Sequence, residues 1–496
     1  MKKLIIITFI LIAGLSSCHS IGGKKNQAQK LKVAQKAKGS ELKRIKEVDE
    51  LKVVVDYNST NYFVYKGQPM GFQYELLKAF AEDLGVDLHL FVSNNLEETF
   101  EGLNSSEYDL VAKNLTVTKD RNRIVDFTEP LALTRQVLVQ RKADGFEGMS
   151  ESEVEESLIR EQLQLANKTV HVQKNTVFVQ RLKHLSEEIG EPIHIVEDTI
   201  YGVEQLIARV ASGEIEYTVC DENVGLVNQK YYPWIDVNTP VSFNQKLSWA
   251  VRKNSPEWKA YIDEWIIDFK KTSQYRQIYN KYFSGNRSSR IVRSEYHSIT
   301  GGKVSEFDDL IREISSAFGW DWRLIAAIIM QESGFNQYAE SWVGAMGLMQ
   351  LMPQTASQYN VDDIIDPREN IRAGLEYLTW LDEVFQPIIS DKDERLKFVL
   401  ASYNVGIGHV MDARKLAMKY GKDPSVWKDN VDIFILKKSI PGFYRDPVVK
   451  WGYCRGEEPY NYVIKVLDRY GHYLNVLPDE NNVALVSLPV LQESWR

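Results

Sequence analysis

Residues 321–334 read DWRLIAAIIMQESG, an apolar run that ends in a glutamate. Asp321 is suited to cap the start of a helix, and Gly334 is suited to end one. The residues between them predict a short buried helix. A carboxyl group on such a helix either reaches water or is held for a purpose, so Glu332 is the first candidate functional residue.

The position of Glu332 on this helix sharpens the expectation. Ile325, Ile328 and Ile329 precede Glu332 at helical spacing, so the four side chains share one face. That face is the buried one, because the helix offers no comparable apolar stripe. We expect desolvation and the helix C-terminus to raise the pKa of Glu332, as in glycosidase general acids. The alternative is a structural glutamate that faces solvent or pairs with an arginine.

The sequence around this helix predicts a compact, mostly helical domain over residues 303–480. Helical periods run through SEFDDLIREISSAFG, DPRENIRAGLEYLTWLDEVF and DERLKFVLASYNVG. Ser305 is expected to cap the first of these helices, and Asp366 with Pro367 to open the second.

Four motifs follow one another in this half of the chain: QESGFN, GAMGLMQLMP, LASYNVG and EEPYNYVIKV. Together they resemble the lysozyme-like lytic transglycosylase domain, over about residues 303–475. The resemblance implies that Glu332 is the catalytic acid and then the base. It also implies a set of substrate-binding residues: Ser333, Gln350, Tyr403, Asn404 and Tyr462. An inserted Ser402 displaces Ala401 from the family's A-Y-N pattern.

This resemblance implies a reaction on peptidoglycan glycan strands. The bond between N-acetylmuramic acid and N-acetylglucosamine would be cleaved without water, because the muramic acid's own C6 hydroxyl attacks C1 and leaves a 1,6-anhydro ring. Two alternatives stay open. A hydrolytic muramidase would need a second carboxylate across the cleft, and Asp362, Asp363 and Asp366 lie nearby in sequence. A non-catalytic lipoprotein would only sense peptidoglycan.

The first half of the chain has a different pattern of predicted secondary structure. Strand and helix patterns alternate from LKVVVDY through FQYELLKAFAEDLG to EYTVCDE, which predicts an α/β domain with largely parallel sheets. The order of motifs over residues 48–285 resembles the periplasmic amino-acid-binding proteins, which have two lobes. The whole chain is thus expected to be multidomain, with a two-lobed α/β solute-binding-like domain before the helical one.

The resemblance implies a ligand site in this first domain. The Arg of a T-x-x-R turn, here Thr118 to Arg121, would bind an α-carboxylate, which suits its planar guanidinium. Asp221 would take the α-amino group, and Thr176 would lie at a backbone contact. Asn175 replaces the family's glycine, and Gln73 with Glu75 replaces its usual paired acids. These departures put a plain free amino acid in question as the ligand, so a cell-wall peptide is considered as well as an amino acid.

The N-terminus, MKKLIIITFILIAGLSSC, is typical of a secretory signal peptide over residues 1–17. LSSC resembles the bacterial lipobox, which implies lipidation of Cys18 and anchoring to the outer membrane, facing the periplasm. A plain secretory signal is the alternative. Residues 18–47 are rich in Lys and Gln and predict a basic tether. Residues 286–302 predict a linker, and 481–496 a C-terminal tail.

Composition excludes other classes of function. The 496 residues carry a net charge of −8, which argues against nucleic acid as a partner. No H-E-x-x-H or His/Cys cluster occurs in the sequence, so we expect no metal and no cofactor. Cys220 and Cys454 lie far apart and are expected to be ordinary packed cysteines.

Overall fold

The computed structural model describes residues 41–477, apart from 94, 200, 285–290, 292, 293 and 300. The predicted signal peptide, Cys18, most of the predicted tether and the predicted C-terminal tail lie outside the described residues. The chain divides into two compact units, and the main boundary between them lies between Gly285 and Asn286. One short segment, Tyr62–Gly71, belongs to the second unit although it lies within the sequence of the first.

Two mixed sheets form the framework of the first unit. The strands of the described chain are, in order, β1 (Glu50–Val55), β2 (Phe63–Tyr65), β3 (Gln68–Met70), β4 (Asp87–Val92), β5 (Leu110–Thr116), β6 (Val125–Phe127), β7 (Ala132–Thr134), β8 (Gln136–Arg141), β9 (Thr169–Gln173), β10 (His194–Asp198), β11 (Tyr217–Asp221), β12 (Ile235–Pro240) and β13 (Gln245–Arg252), and all but β2 and β3 belong to the two sheets of the first unit. One sheet has the order β4-β1-β5-β13-β6, with β7 also paired to β13, and the other β10-β9-β11-β8-β12.

The predicted α/β architecture with two lobes is confirmed, but the sheets are less parallel than expected. In each sheet three strands are parallel: β4, β1 and β5 in one, and β10, β9 and β11 in the other. The remaining strands, including β13 and β8, run antiparallel to their neighbours. The chain builds most of the first sheet, passes to the second at β8 and returns at β13, so strands enter each sheet from both directions.

Helices cover both sheets of the first unit. They are α1 (Glu41–Val48), α2 (Phe72–Leu84), α3 (Leu96–Ser105), α4 (Glu151–Glu156), α5 (Val177–Ile189), α6 (Val203–Ser212), α7 (Glu222–Gln229), α8 (Pro256–Phe269) and α9 (Ser273–Tyr279). Leu76, Leu77 and Phe80 lie at helical spacing on α2, and all three are fully buried.

The expectation of a tether up to residue 47 is wrong for its last part, because α1 begins at Glu41. Ile45 of this helix is fully buried. Arg44 forms an ion pair with Asp109, and Glu41 forms one with Arg252. One apolar anchor and ion pairs to a folded sheet order a segment whose composition alone predicts a solvated chain.

The second unit is mostly helical, as predicted. Its helices are α10 (Asp308–Phe318), α11 (Trp322–Glu332), α12 (Pro353–Gln358), α13 (Pro367–Phe385), α14 (Lys392–Val405), α15 (Ile407–Lys419), α16 (Asp432–Lys437), α17 (Pro441–Tyr444) and α18 (Glu457–Val476). Asp366 caps α13 by accepting a hydrogen bond from the Glu369 N–H at 2.9 Å, as expected. The prediction that Ser305 caps α10 is wrong: the helix starts at Asp308, whose carboxylate accepts the Ser305 N–H at 2.9 Å.

The antiparallel strands β2 and β3 form a hairpin that is part of this second unit. Its turn residues Lys66 and Gly67 both have positive φ, 47° and 71°, as a two-residue turn with the strand twist requires. The predicted linker 286–302 is also wrong in part, because His297 and Ser298 are fully buried. Ser298 donates its N–H to the Val64 carbonyl of the hairpin at 2.9 Å, so this stretch is packed structure.

Other features bear on which chemistry is available. Cys220 and Cys454 are free and buried, as predicted. In the described part of the chain, no group of His, Cys, Asp and Glu side chains is arranged to hold a metal ion. The described helices include none with the length and apolar character needed to cross a membrane.

Candidate active site

Helix α11 places Glu332 at the edge of the core of the second unit. Asp321 accepts the Arg323 N–H at 2.9 Å and so caps the helix as predicted. Ile325, Ile328 and Ile329 have no exposed surface. Glu332 is the last helical residue on their face, so its side chain leaves the core where the helix ends.

Backbone geometry after Glu332 turns the chain sharply away. The Ser333 N–H bonds to the Ile329 carbonyl at 2.9 Å, and the Ser333 hydroxyl donates to the same carbonyl at 3.1 Å. Gly334 and Phe335 follow with φ of 61° and 62°. Two consecutive left-handed residues end the helix immediately after the glutamate, and for Phe335 this conformation is strained. The Ser333 hydroxyl therefore serves to cap the end of the helix.

Burial raises the pKa of Glu332 from its ordinary value of 4.5 to about 7. The negative charge of Glu458 pushes the pKa in the same direction. Tyr462 of α18 donates a 2.6 Å hydrogen bond to Glu332 Oε1 and pushes it down, because that bond stabilises the charged form. The predicted rise in pKa is confirmed, and desolvation is its main cause. Near neutral pH the carboxyl group is therefore able both to give and to take a proton.

Two tyrosines face this carboxyl group from different helices. Tyr403 of α14 donates its hydroxyl to the Met349 carbonyl at 2.8 Å. Burial and the charge of Glu332 raise the pKa of both Tyr403 and Tyr462 well above the usual value, so both remain neutral donors. Asn404 lies next to Tyr403 in the last turn of α14 and is partly exposed.

The loop between α11 and α12 carries Gln350. Its backbone has a φ of 50°, and its side-chain amide donates to the Ala339 carbonyl at 2.9 Å and to the Gly347 carbonyl at 3.0 Å. The amide nitrogen therefore closes the loop on itself. Gly347 has a φ of 83°, a conformation that favours glycine, and a Cβ there would lie 2.2 Å from the Asn370 amide nitrogen.

Asn370 is a residue that sequence reasoning missed. It is fully buried on α13, accepts the Met349 N–H at 2.8 Å and donates to the carbonyls of Met346 and Ile364 at 3.1 and 2.8 Å. One side chain thus fixes the loop that holds Gln350 and the carbonyl that binds Tyr403. A signal was present in the sequence, since an asparagine on the apolar face of a helix must find buried partners.

Two of the three aspartates that could supply a second carboxylate have other partners. Asp366 caps α13, and Asp363 accepts the Ile365 N–H at 3.1 Å. The backbone N–H groups of Asp362 and Asp363 bond to the Glu369 carboxylate at 2.8 and 3.0 Å. Glu458 is the described carboxylate whose charge reaches Glu332, and it is exposed at the start of α18.

The first unit brings two of its predicted ligand residues together. Arg121 follows β5, Asp221 ends β11, and each affects the pKa of the other through its charge. Burial raises the pKa of Asp221 to about 7, although the Arg121 charge opposes it. Asp221 Oδ1 is buried without a hydrogen-bond partner among the described residues. A half-buried cation whose charge reaches a carboxylate with a buried, unsatisfied oxygen suits a zwitterionic ligand.

Other predicted residues of this unit have local partners. Thr118 accepts the Arg121 N–H at 3.3 Å, and Thr176 donates its hydroxyl to the Gln173 carbonyl at 2.7 Å. Asn175 adopts a φ of 61°, which explains why glycine is usual there in the resembling family.

The two residues that stand in place of the family's paired acids also have hydrogen-bond or ion-pair partners. Gln73 is fully buried, with Trp249 Nε1 donating to its carbonyl oxygen at 2.7 Å, and Glu75 pairs with Lys281 at 2.5 Å. Sequence reasoning missed Glu204, a buried carboxylate that accepts the Ser59 N–H at 3.0 Å.

Each half of the chain is similar to a known protein family. A family model of the transglycosylase SLT domain matches residues 309–426, and one of bacterial extracellular solute-binding proteins, family 3, matches residues 51–285. A Desulfosudis oleivorans protein named membrane-bound lytic murein transglycosylase F is 35% identical over 430 residues, which cover 86% of this chain and 91% of that protein. A Vibrio cholerae protein of the same name is 30% identical over 444 residues, which cover 87% of this chain and 80% of that protein.

Among solved structures, the ancestral amino acid-binding protein AncCDT-1 aligns with a TM-score of 0.42 and 23% identity. The alignment covers 49% of this chain and 100% of the ancestral protein.

The surroundings of Glu332 predict opposite pKa changes in two variants. Tyr462→Phe removes the hydrogen bond that lowers the pKa of Glu332, so its pKa should rise above about 7. Glu458→Gln removes the charge that raises the pKa, so its pKa should fall. Carbon-13 NMR titration of glutamate δ-carbons, with Glu332→Gln identifying the resonance, measures both values. An unchanged pKa in both variants would contradict the assigned causes.

Proposed function

The chain belongs to the membrane-bound lytic murein transglycosylase F family and acts on peptidoglycan as a lyase, and on this premise we propose that Glu332 alone carries both proton transfers of the reaction. The observation that carries the proposal is a single desolvated carboxyl group with a pKa of about 7 and a 2.6 Å hydrogen bond from Tyr462. Such a group is protonated often enough to act as an acid and ionises readily enough to act as a base.

The proposed reaction has two linked proton transfers. Glu332 gives its proton to the glycosidic oxygen while the bond from that oxygen to C1 of N-acetylmuramic acid breaks. The resulting carboxylate takes the proton of the C6 hydroxyl of the same sugar as its oxygen bonds to C1. N-acetylglucosamine leaves with a free 4-hydroxyl, a 1,6-anhydro ring remains, and Glu332 is protonated again. No water is consumed, and the tethered nucleophile gains from proximity.

The neighbouring residues have proposed roles that agree with their positions. Tyr462 holds Glu332 Oε1 and steadies the carboxylate during the second transfer. Tyr403, Asn404 and the Gln350 loop form the part of the cleft that orients the sugars, and Ser333 fixes the helix end. A hydrolytic muramidase is less favoured, because the carboxylates of Asp363 and Asp366 serve as a loop partner and a helix cap. Intact catalytic groups argue equally against a mere sensor.

For the first unit we propose a regulatory ligand, a cell-wall peptide or amino acid. Its carboxylate would bind Arg121, and its ammonium group would bind Asp221, whose Oδ1 has no partner among the described residues. Lobe closure around this ligand would alter the access of substrate to Glu332. The alternative is that this unit only positions the enzyme.

The proposed setting is the periplasmic face of the outer membrane, where the enzyme takes part in cell-wall turnover and remodelling. The relatives are membrane-bound by name. Attachment would come from lipid on Cys18, which lies outside the described residues.

The identity of the products tests the reaction directly. The chain without its first 18 residues should release fragments from purified peptidoglycan that end in anhydromuramic acid and are lighter by one water than hydrolysis products. Glu332→Gln should lose about 100-fold or more of this activity. Mass spectrometry of the fragments is the measurement, and Glu306→Gln, an exposed glutamate of the same unit, is the matched control. Reducing muramic ends would indicate a hydrolase, and no release by either protein would favour a sensor.

The regulatory ligand has its own test, with a control in the same turn. Arg121→Ala should weaken binding of stem peptides or free amino acids by about 100-fold, because the ligand carboxylate loses its charged partner. Arg123→Ala removes an exposed arginine that pairs with Asp120, and it should change little. Calorimetric titration measures binding, and peptidoglycan release with and without ligand measures regulation. Ligand binding and ligand-dependent activity that are equal in Arg121→Ala and wild type would contradict the proposal.

A further inference from the structure

The hairpin of β2 and β3 lies in the stretch that matches the solute-binding family, residues 51–285, yet it belongs to the unit that contains Glu332. The chain leaves the first unit after Asn61 and returns to it at Phe72. A hairpin at this place in the sequence therefore contributes to the transglycosylase unit, and its contacts indicate what it does there.

One edge of the hairpin is bonded to the segment just before α10. Lys66 donates its N–H to the Tyr296 carbonyl at 3.0 Å. Val64 and Ser298 exchange two hydrogen bonds, one from the Val64 N–H to the Ser298 hydroxyl and one from the Ser298 N–H to the Val64 carbonyl, both 2.9 Å. The Phe63 ring packs on the His297 ring with centroids 4.6 Å apart. These buried contacts fix the hairpin within the unit.

The hairpin is also bonded to α18, the helix that carries Tyr462. The Tyr62 hydroxyl and His472 Nδ1 are 2.7 Å apart, and the Tyr473 hydroxyl donates to the Gly67 carbonyl at 2.8 Å. Tyr62 and Tyr473 have no exposed surface. Two buried hydrogen bonds therefore hold the hairpin against the C-terminal half of α18.

The tip of the hairpin reaches the end of α11. A Cβ on Gly67 would lie 2.7 Å from the Tyr473 hydroxyl, 2.9 Å from a ring carbon of Phe335 and 3.0 Å from the Met330 sulfur. Met330 and Phe335 are two residues before and three residues after Glu332. Gly67 therefore lies against the chain on both sides of the glutamate, in a gap where a Cβ would force these side chains to shift.

Phe335 needs such support. Its φ of 62° is unfavourable for an aromatic residue, and it persists only where surrounding contacts hold it. The Phe335 ring lies against Gly67. A 3.2 Å hydrogen bond from Arg469 of α18 to Gln331 of α11 joins these two helices directly. The position of α11 relative to α18 is what sets the bond between Glu332 and Tyr462.

We propose that the Tyr62–Gly71 hairpin is a positioning element for Glu332, with Gly67 wedged between α11 and α18 so that the glutamate keeps its bond to Tyr462 and its dry surroundings. This inference rests on the proposed catalytic role of Glu332. It assigns to a segment of the solute-binding sequence a part in the geometry of the transglycosylase site.

Two glycines of the same backbone conformation provide the test. Gly67 and Gly85 have φ of 71° and 74°, but a Cβ at Gly85 would meet nothing within 4 Å. Gly67→Val and Gly85→Val thus carry similar backbone strain, and only the first disturbs the gap beside Glu332. In the full-length protein, Gly67→Val should lower kcat on peptidoglycan by about 10- to 100-fold with a smaller change in KM. Gly85→Val should keep wild-type kinetics.

The pH profile separates positioning from simple stability. Desolvation has a larger effect on the pKa of Glu332 than the hydrogen bond from Tyr462. Water admitted beside Glu332 should therefore lower its pKa even if that bond is loosened, so the loss of activity at high pH should begin at lower pH in Gly67→Val. The titratable groups around Glu332 are Tyr403, Tyr462 and Glu458, and neither hairpin variant substitutes any of them. Tyr473→Phe removes only the bond to Gly67, and it should shift the profile in the same direction by less. This variant keeps the test valid if Gly67→Val fails to fold.

The inference is overturned if Gly67→Val or Tyr473→Phe lowers only the melting temperature and leaves kcat and the pH profile like those of Gly85→Val. A failure of the proposed function would look different, because Glu332→Gln would then retain activity. Loss of activity in Glu332→Gln with unchanged profiles in the hairpin variants would reject the positioning role alone.

Discussion

The removal of one carboxyl group from water is the constraint on which the site depends. Glu332 ends an apolar helix face, and burial outweighs the Tyr462 hydrogen bond in setting its pKa to about 7. An exposed glutamate would be ionised at neutral pH and would have no proton to give. The apolar face of α11, the hydroxyl of Tyr462 and the sharp turn at Gly334 and Phe335 therefore serve one purpose, which is to hold a carboxyl group at the edge of the core.

The site is assembled from segments far apart in sequence. Helix α18 supplies Tyr462, α14 supplies Tyr403, and the loop before α12 is fixed by Asn370 of α13. The hairpin around Gly67 adds a segment from the sequence of the first unit. Each element alone is ordinary, and their joint packing creates a dry pocket around the glutamate. Proteins with perturbed acids generally achieve the shift in this way, through surroundings more than through the residue itself.

Much of this could be predicted from the sequence, because helix periodicity is local information. The cap at Asp321, the buried isoleucines and the raised pKa of Glu332 all follow from spacing on one helix. What failed depends on distant partners. Helix α1 is ordered by Ile45 and by ion pairs to a sheet, and His297 is buried by a hairpin more than two hundred residues earlier in the chain. Composition and local pattern carry no record of such contacts.

The pH dependence of unfolding tests the central claim, which is that Glu332 is desolvated and protonated near neutral pH. A carboxyl group with a pKa of about 7 when folded and about 4.5 when unfolded binds extra protons in the folded state, so its contribution to stability falls as pH rises between those values. Relative to Glu332→Gln, the wild-type protein should lose about 3 kcal/mol of unfolding free energy over this range. Chemical denaturation of both proteins across this pH range measures the difference. A difference that stays constant with pH would contradict the account, because Glu332 would then titrate as an exposed residue.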